Sequence, residues 1–187
     1  GTTTTVRTGH TVSPHHDSVI VVDLPGLYDL HGTSPESQVA TRFFNEREAD
    51  GVDAIIVVVD ATNLIRNLML VGEVLAHRRP TVVVLNMMDL AGRQGIEIDI
   101  AAMARRLGTA VVPVVARTGE GLDRLRAAID AAPSAAVTPP SDLPADTASL
   151  ETLNAWAVAV ADDVSNARRR EDAVDHTTER LDRYLTH

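Results

Sequence analysis

The sequence contains no cysteine, which excludes a disulfide framework and thiolate metal ligands. It contains no lysine either, because all 17 basic residues are arginine. These residues therefore cannot encode a phosphate loop of the form GxxxxGK[ST]. Aromatic residues make up only 3% of the chain, so a core has to be built from Val, Leu, Ile and Ala. No apolar run reaches the ~18 residues that a membrane helix needs, and no signal-peptide pattern opens the chain. The formal net charge of -9 removes the basic footprint on which nucleic-acid binding depends. What remains is 187 residues with 44% hydrophobic content, which suits one domain plus a small appendage. The first residue is Gly rather than Met, so a fragment of a longer protein is expected.

Four apolar runs lack polar alternation: Val19 to Leu24, Ala54 to Val59, Thr81 to Leu85 and Ala110 to Ala116. Such runs read as strands covered on both faces, as in a parallel sheet. Helix-length segments with apolar spacing near 3.6 lie between or after them, at Glu36 to Glu48, Asn63 to His77, Ile98 to Leu107 and Gly121 to Ala131. The alternation predicts an α/β doubly wound sheet with helices on both faces. Thr2 to Val12 is rich in β-branched residues and reads as an edge strand. It would pair with Val19 to Leu24 through a turn at Ser13-Pro14-His15-His16-Asp17.

Composition changes after residue 132, where Ala, Pro, Ser and Thr take over. The expected organisation is a main domain over 1–132, a linker over 133–146 and a short helical domain over 147–187. Thr147 to Arg170 predicts one long helix with an apolar stripe of Leu150, Leu153, Ala157, Val160, Ala161 and Val164. Trp156 lies close to that stripe and reads as packing. A shorter helix is expected from about Thr177 to Leu185.

Three motifs sit at the carboxyl ends of the predicted strands, where ligands bind in a doubly wound sheet. Asp23-Leu24-Pro25-Gly26 ends the first. Its carboxylate suits a Mg²⁺ held largely through water, and its glycine lets the backbone approach a phosphate. Taken alone, the same run also fits a capped turn. Asn86-Met87-Met88-Asp89 ends the third parallel strand. There a carboxylate can accept two N–H groups of a guanine edge, while the Asn ties neighbouring loops together. Val115-Ala116-Arg117 ends the fourth, where the Ala116 N–H could meet the guanine O6. On its own this last run is an ordinary strand-to-helix turn. The order and placement of all three make the set specific.

At these residues the chain resembles the translation-factor-like GTPases, and among them the G domain of the bacterial ferrous iron transporter B (FeoB) family. The stretches that carry the resemblance are Val22 to Leu30, Val59 to Leu68 and Leu85 to Asp89. Gly95 to Asp99, Leu107-Gly108, Ala116 to Gly121 and Glu179 to His187 add to it. The resemblance implies a P-loop-GTPase-like sheet whose first strand and P-loop are absent from this chain. It implies a GTP-binding and GTP-hydrolysing module at the cytoplasmic face of the bacterial inner membrane that drives or regulates ferrous iron uptake. The implied ligands are GTP or GDP and Mg²⁺, with K⁺ as a candidate monovalent cation. Gly1-Thr2-Thr3 resembles the family's switch I, so Thr3 and Asp23 are the implied Mg²⁺ residues. The implied GTP-binding set is Thr3, Asp23, Pro25, Gly26, Asn86, Met87, Asp89, Val115, Ala116 and Arg117. The implied partner is a membrane transport domain of the same protein, with homo-oligomerisation left open.

Two departures from that pattern matter. The missing lysine means that a strand, loop and helix of ~30 residues is expected upstream, with its strand between those ending at Asp23 and Asp60. Leu27 stands where a residue that orients water is common, so slow hydrolysis is expected and no catalytic residue is assigned. The alternative to an enzyme part is a nucleotide-sensing or interaction module without useful turnover. Two further clusters have plain readings. His15-His16 point in different directions and chelate poorly. Arg168-Arg169-Arg170 suits a solvated helix end, with contact to anionic lipid as the rival.

Overall fold

The computed structural model describes residues 6–13, 16–26, 30, 34–45, 51–145, 147 and 149–166. The element order is β1 (Arg7–Ser13), β2 (His16–Asp23), α1 (Pro35–Asn45), β3 (Ile55–Asp60), α2 (Leu64–Ala76), β4 (Thr81–Asn86), α3 (Met88–Arg93), α4 (Ile100–Leu107), β5 (Ala110–Pro113), α5 (Leu122–Ala131) and α6 (Leu150–Val164). The fold is α/β, as the alternation of strands and helices implies.

β3, β4 and β5 form a parallel sheet. Val57 aligns with Val83 and Val83 with Val111, so these residues share one face of it. That face meets α2, α4 and α6 in a core that includes Leu68, Val71, Met103, Leu107, Leu153 and Val160. The opposite face carries Val82, Val84 and Val112 and is covered by Leu125 and Ala128 of α5. Both faces of β4 are thus covered, which explains its unbroken apolar run. Among the described residues β3 is covered on one face only. Val57 and Val59 are buried, whereas Ile56 and Val58 are 40% and 59% exposed.

β1 and β2 form a separate antiparallel ribbon, with Arg7 opposite Asp23. Among the described residues the two sheets are not joined by a strand ladder. The break falls between the strands ending at Asp23 and Asp60, where the sequence analysis places the missing strand. The hairpin turn is tighter than expected, because Ser13 pairs with His16 and only Pro14 and His15 lie between.

Boundaries differ from expectation where local chemistry intervenes. β5 ends at Pro113, which has no N–H for the ladder. Only an isolated bridge between Val115 and Glu120 follows. α4 starts two residues later than expected because Asp99 caps it, accepting the Ala102 N–H at 2.8 Å. α3 was not expected, since six residues are too few to show a period. The expected helix from Thr147 to Arg170 is shorter: α6 starts after Ser149 and ends at Val164, because Ser165 is extended and bridges Ile98, and Leu150 is 60% exposed rather than part of its stripe. Trp156 is buried in its place. The expected helix at Thr177 to Leu185 and the Arg168 to Arg170 run lie outside the described residues.

α6 packs closely on α2 because Gly72 has no side chain. A Cβ there would stand 2.8 Å from Leu153 Cδ1 and 2.8 Å from Trp156 Cζ3. Polar links add to this on the α4 side. Asp99 N–H donates to the Val164 carbonyl at 2.8 Å, and Glu97 N–H donates to Asn166 Oδ1 at 2.9 Å. Arg106 donates to Asp142 at 2.6 Å and to Asp163 at 3.0 Å. It therefore joins α4, the connecting segment and α6. The bond from Arg106 holds the Asp142 carboxyl below the usual carboxylate range. The indole N–H of Trp156, which makes no hydrogen bond of normal geometry, adds a smaller downward pull.

Candidate functional site

The sequence-derived residues fall into two groups. The first gathers at the carboxyl ends of β4 and β5. Asn86 is its hub. Its Oδ1 accepts the Met87 N–H at 2.8 Å and the Ala116 N–H at 3.1 Å. Two backbone N–H donors on one atom require that atom to be the oxygen, which fixes the orientation of the amide. Asn86 Nδ2 is then the end of the amide that can donate outward. The Asn does tie neighbouring loops, across 30 residues of sequence. The Ala116 N–H, expected to meet a ligand, donates to Asn86 in this structure.

Met87 adopts a left-handed backbone with φ of 62°, which is uncommon for a residue with a side chain. This sharp turn ends β4 and starts α3. The Met87 side chain is left exposed, with apolar surface beside the Asn86 amide. Asp89 sits in the first turn of α3, where a negative charge is favoured. Arg117 Nη2 lies 3.4 Å from its Oδ2. Arg117 is itself mostly exposed, so the pair is weak and open to exchange.

The loop after β5 is closed on itself. Val115 N–H donates to the Glu120 carbonyl and Gly119 N–H to the Val115 carbonyl, both at 3.0 Å. Gly121 ends it with φ of 84°, packed against the Pro113 carbonyl. Val115 is buried while Ala116 and Arg117 face outward. The fold thereby presents an amide, a carboxylate, a thioether and a guanidinium from two rigid strand ends.

The second group lies at the end of β2. Asp23 is exposed and Pro25 is buried. Among the described residues nothing lies within 4 Å of where a Gly26 Cβ would stand, and its φ is not in the left-handed region. The chain's own packing therefore does not demand glycine at this point. Space for a ligand to approach the backbone is a reason that remains. No described contact joins this group to the first. Thr3 and Leu27 lie outside the described residues.

Sequence reasoning missed Asp60, Leu30 and Glu73. Asp60 ends β3 and accepts both the N–H and the hydroxyl of Thr62, at 2.8 and 2.7 Å. Glu73 is 1% exposed within an apolar helix. An acid inside the run Leu-Met-Leu-Val-Gly-Glu-Val-Leu was the available signal, since Glu is almost never buried without a partner.

A family model described as ferrous iron transport protein B matches residues 1–129. This chain belongs to that family. The Fe(2+) transporter FeoB of Salmonella typhimurium is 40% identical over 134 residues, covering 70% of this chain. The chain spans only 17% of the length of that relative. The G domain of FeoB from Methanococcus jannaschii is 35% identical with a TM-score of 0.62, and the match covers 68% of this chain and 80% of that one. The cytosolic domain of the T. maritima FeoB iron transporter, solved in a GMPPNP form, is 25% identical with a TM-score of 0.64. That match covers 72% of this chain and 52% of the other. Among the described residues no helix is long and apolar enough to cross a membrane.

Proposed function

We propose that this chain supplies the guanine-reading end of the G domain of a FeoB-type ferrous iron transporter, and part of its phosphate-sensing end. The observation that carries the reading is the Asn86 hub, which holds the Asp89 helix and the Ala116 loop in one fixed arrangement. Asp89 offers two oxygens to the two N–H groups along one edge of guanine. Asn86 Nδ2 offers a donor to a ring acceptor, and Met87 offers apolar surface to the plane of the base. Arg117 releases Asp89 as the base arrives. At the other end Gly26 offers a backbone N–H to a terminal phosphate and Asp23 serves Mg²⁺, with Thr3 as its expected partner.

The residues present fit a guanine base. They fit Mg²⁺ only together with a nucleotide. No group of three or more potential metal-ligating residues exists among the described residues, and Mg²⁺ accepts one or two protein carboxylates when phosphates and water supply the rest. A magnesium ion there would neutralise phosphate charge. The residues do not fit the cradle of the inner phosphates, because no lysine is available. That part has to come from polypeptide other than these 187 residues, and no hydrolytic step is assigned to this chain. Ile56 and Val58 leave apolar surface exposed on β3, which suits cover by such polypeptide. Partition into a nucleotide domain over 1–132, a linker over 133–146 and a helical domain over 147–187 belongs to the same reading. So does placement at the cytoplasmic face of the inner membrane.

The test is Asp89→Asn in the intact transporter, with binding measured for GTP and for the xanthosine analogue. Charge-assisted hydrogen bonds are worth about 1.5–3 kcal/mol, so GTP affinity should fall roughly 10- to 150-fold. Xanthosine triphosphate should gain, because its exchanged acceptor meets the new amide donor. Unchanged preference between the two nucleotides defeats the assignment.

A further inference from the structure

Glu73 lies in the middle of α2, buried alongside Leu68, Val71, Val74 and Leu75. Its Oε2 accepts the backbone N–H of Leu30 at 2.6 Å, across 43 residues of sequence. That distance is at the short limit for an N–H···O bond. Leu30 follows Asp23-Leu24-Pro25-Gly26 by four residues. It is held in two other ways. Its side chain is 3% exposed and belongs to the main core. Its carbonyl accepts the Thr41 hydroxyl from α1. A few residues on, Ser34 Oγ accepts the Ser37 N–H at 3.1 Å and starts α1.

The phosphate-sensing segment is therefore tethered at both ends. Asp23 is fixed by its place opposite Arg7 in the β1–β2 ribbon, and Leu30 is fixed to α2 and α1. A buried carboxyl group is costly to desolvate, whereas an apolar side chain in this setting would carry no such cost. The bond that its Oε2 accepts comes from the segment that follows Gly26.

We propose that Glu73 is a positioning residue for the nucleotide response, clamping Leu30 so that Gly26 is presented in the register that distinguishes GTP from GDP. This rests on the functional reading above. α2 is then the support against which the phosphate-sensing segment is set. The clamp acts on the terminal phosphate alone and leaves base recognition at Asp89 untouched.

The test uses the intact transporter in three forms: wild type, Glu73→Gln and Glu73→Met. Gln keeps an acceptor for the Leu30 N–H and Met does not. Amide hydrogen exchange at Leu30, measured without nucleotide, should quicken about tenfold or more in the Met variant. It should stay within roughly threefold of wild type in the Gln variant. The ratio of GMPPNP to GDP affinity should fall about tenfold in the Met variant, with GDP affinity itself within about threefold. The Gln variant should restore most of the ratio. Thr41→Val removes the second bond to Leu30 without touching Glu73. It should move both readouts in the same direction by less, which keeps the test open if the Met variant misfolds. Unchanged Leu30 exchange in the Met variant overturns the clamp. So does faster exchange with an unchanged affinity ratio, which reduces Glu73 to a structural role. A wild type with a protected Leu30 but no discrimination between nucleotides overturns the functional reading instead.

Discussion

Replacing Gly72 by Ala tests the packing of α6 on α2 directly. An Ala in a helix interior is ordinarily worth about 1 kcal/mol more than Gly. Here the added Cβ would stand 2.8 Å from Leu153 Cδ1 and from Trp156 Cζ3, against about 3.5–4.0 Å for an unstrained carbon pair. The overlap of roughly 0.7–1.2 Å has to be relieved. Leu153 can turn its terminal methyl aside. Trp156 is a rigid ring, 4% exposed, with no room to swing. The helix α6 must therefore step back. A gap of that size forfeits a quarter to a half of each dispersion contact along the seam, which includes Ala157, Val160 and Val164. Overpacking of this kind costs about 1–3 kcal/mol, and the upper half of that range applies where a buried ring is struck. Set against the gain in helix propensity, the expected net loss is about 1–2 kcal/mol. For a chain of this size that lowers the thermal midpoint by roughly 2–8 °C. Calorimetry on the intact protein gives the midpoint, and Leu153→Ala completes a double-mutant cycle. The two changes should couple by about 1 kcal/mol, because removing the Leu153 methyls relieves half of the overlap. A rise in stability of about 1 kcal/mol for Gly72→Ala, additive with Leu153→Ala, would show propensity acting alone. That result refutes the packing of α6 on Gly72.

Gly121→Ala should deform the loop over 115–120, because φ of 84° disfavours a side chain and the new methyl would meet the Pro113 carbonyl. A loss of about 1–3 kcal/mol should come with weaker binding of the guanine base, read by calorimetric titration with GDP. Arg106→Gln should lower the thermal midpoint only above about pH 4. Asp142 has a lowered folded-state pKa, so its contribution is present above the ordinary carboxylate range and lost as pH falls through the folded value. Asp142 is about half exposed, which limits the effect to a few tenths of a kcal/mol up to about 1. A gap between variant and wild type that persists unchanged at pH 3 would discount the contribution of the Arg106–Asp142 pair.

The strand positions were legible in the apolar runs, but their burial was not in every case: β2, expected to be covered on both faces of a parallel sheet, is antiparallel to β1 and leaves Ile20 and Val21 63% and 43% exposed. β4 is apolar throughout since helices cover both its faces, and its run was read from Thr81 to Leu85 against an observed Thr81–Asn86. β3 looks the same in sequence, yet Ile56 and Val58 are exposed. One sequence pattern thus corresponds to two different degrees of coverage. The role of Asn86 in joining loops was legible from its place at a strand end. The hidden items depend on partners distant in the chain. Nothing near Glu73 names Leu30, and nothing near Leu150 shows that Trp156 takes its place in the seam. β5 is short because Pro113 stops the ladder, and the valines on either side masked that stop.

The Asn86 hub has a kinetic consequence. One oxygen holds both halves of the proposed base-reading end before any ligand arrives, so that end needs no assembly on encounter. Capture of the base should then be limited by diffusion and by the exchange of Arg117 away from Asp89. Differences in affinity among purine ligands should appear almost wholly in how long each stays bound. On the proposed function, the Gly26 end then lengthens or shortens that dwell time according to the terminal phosphate.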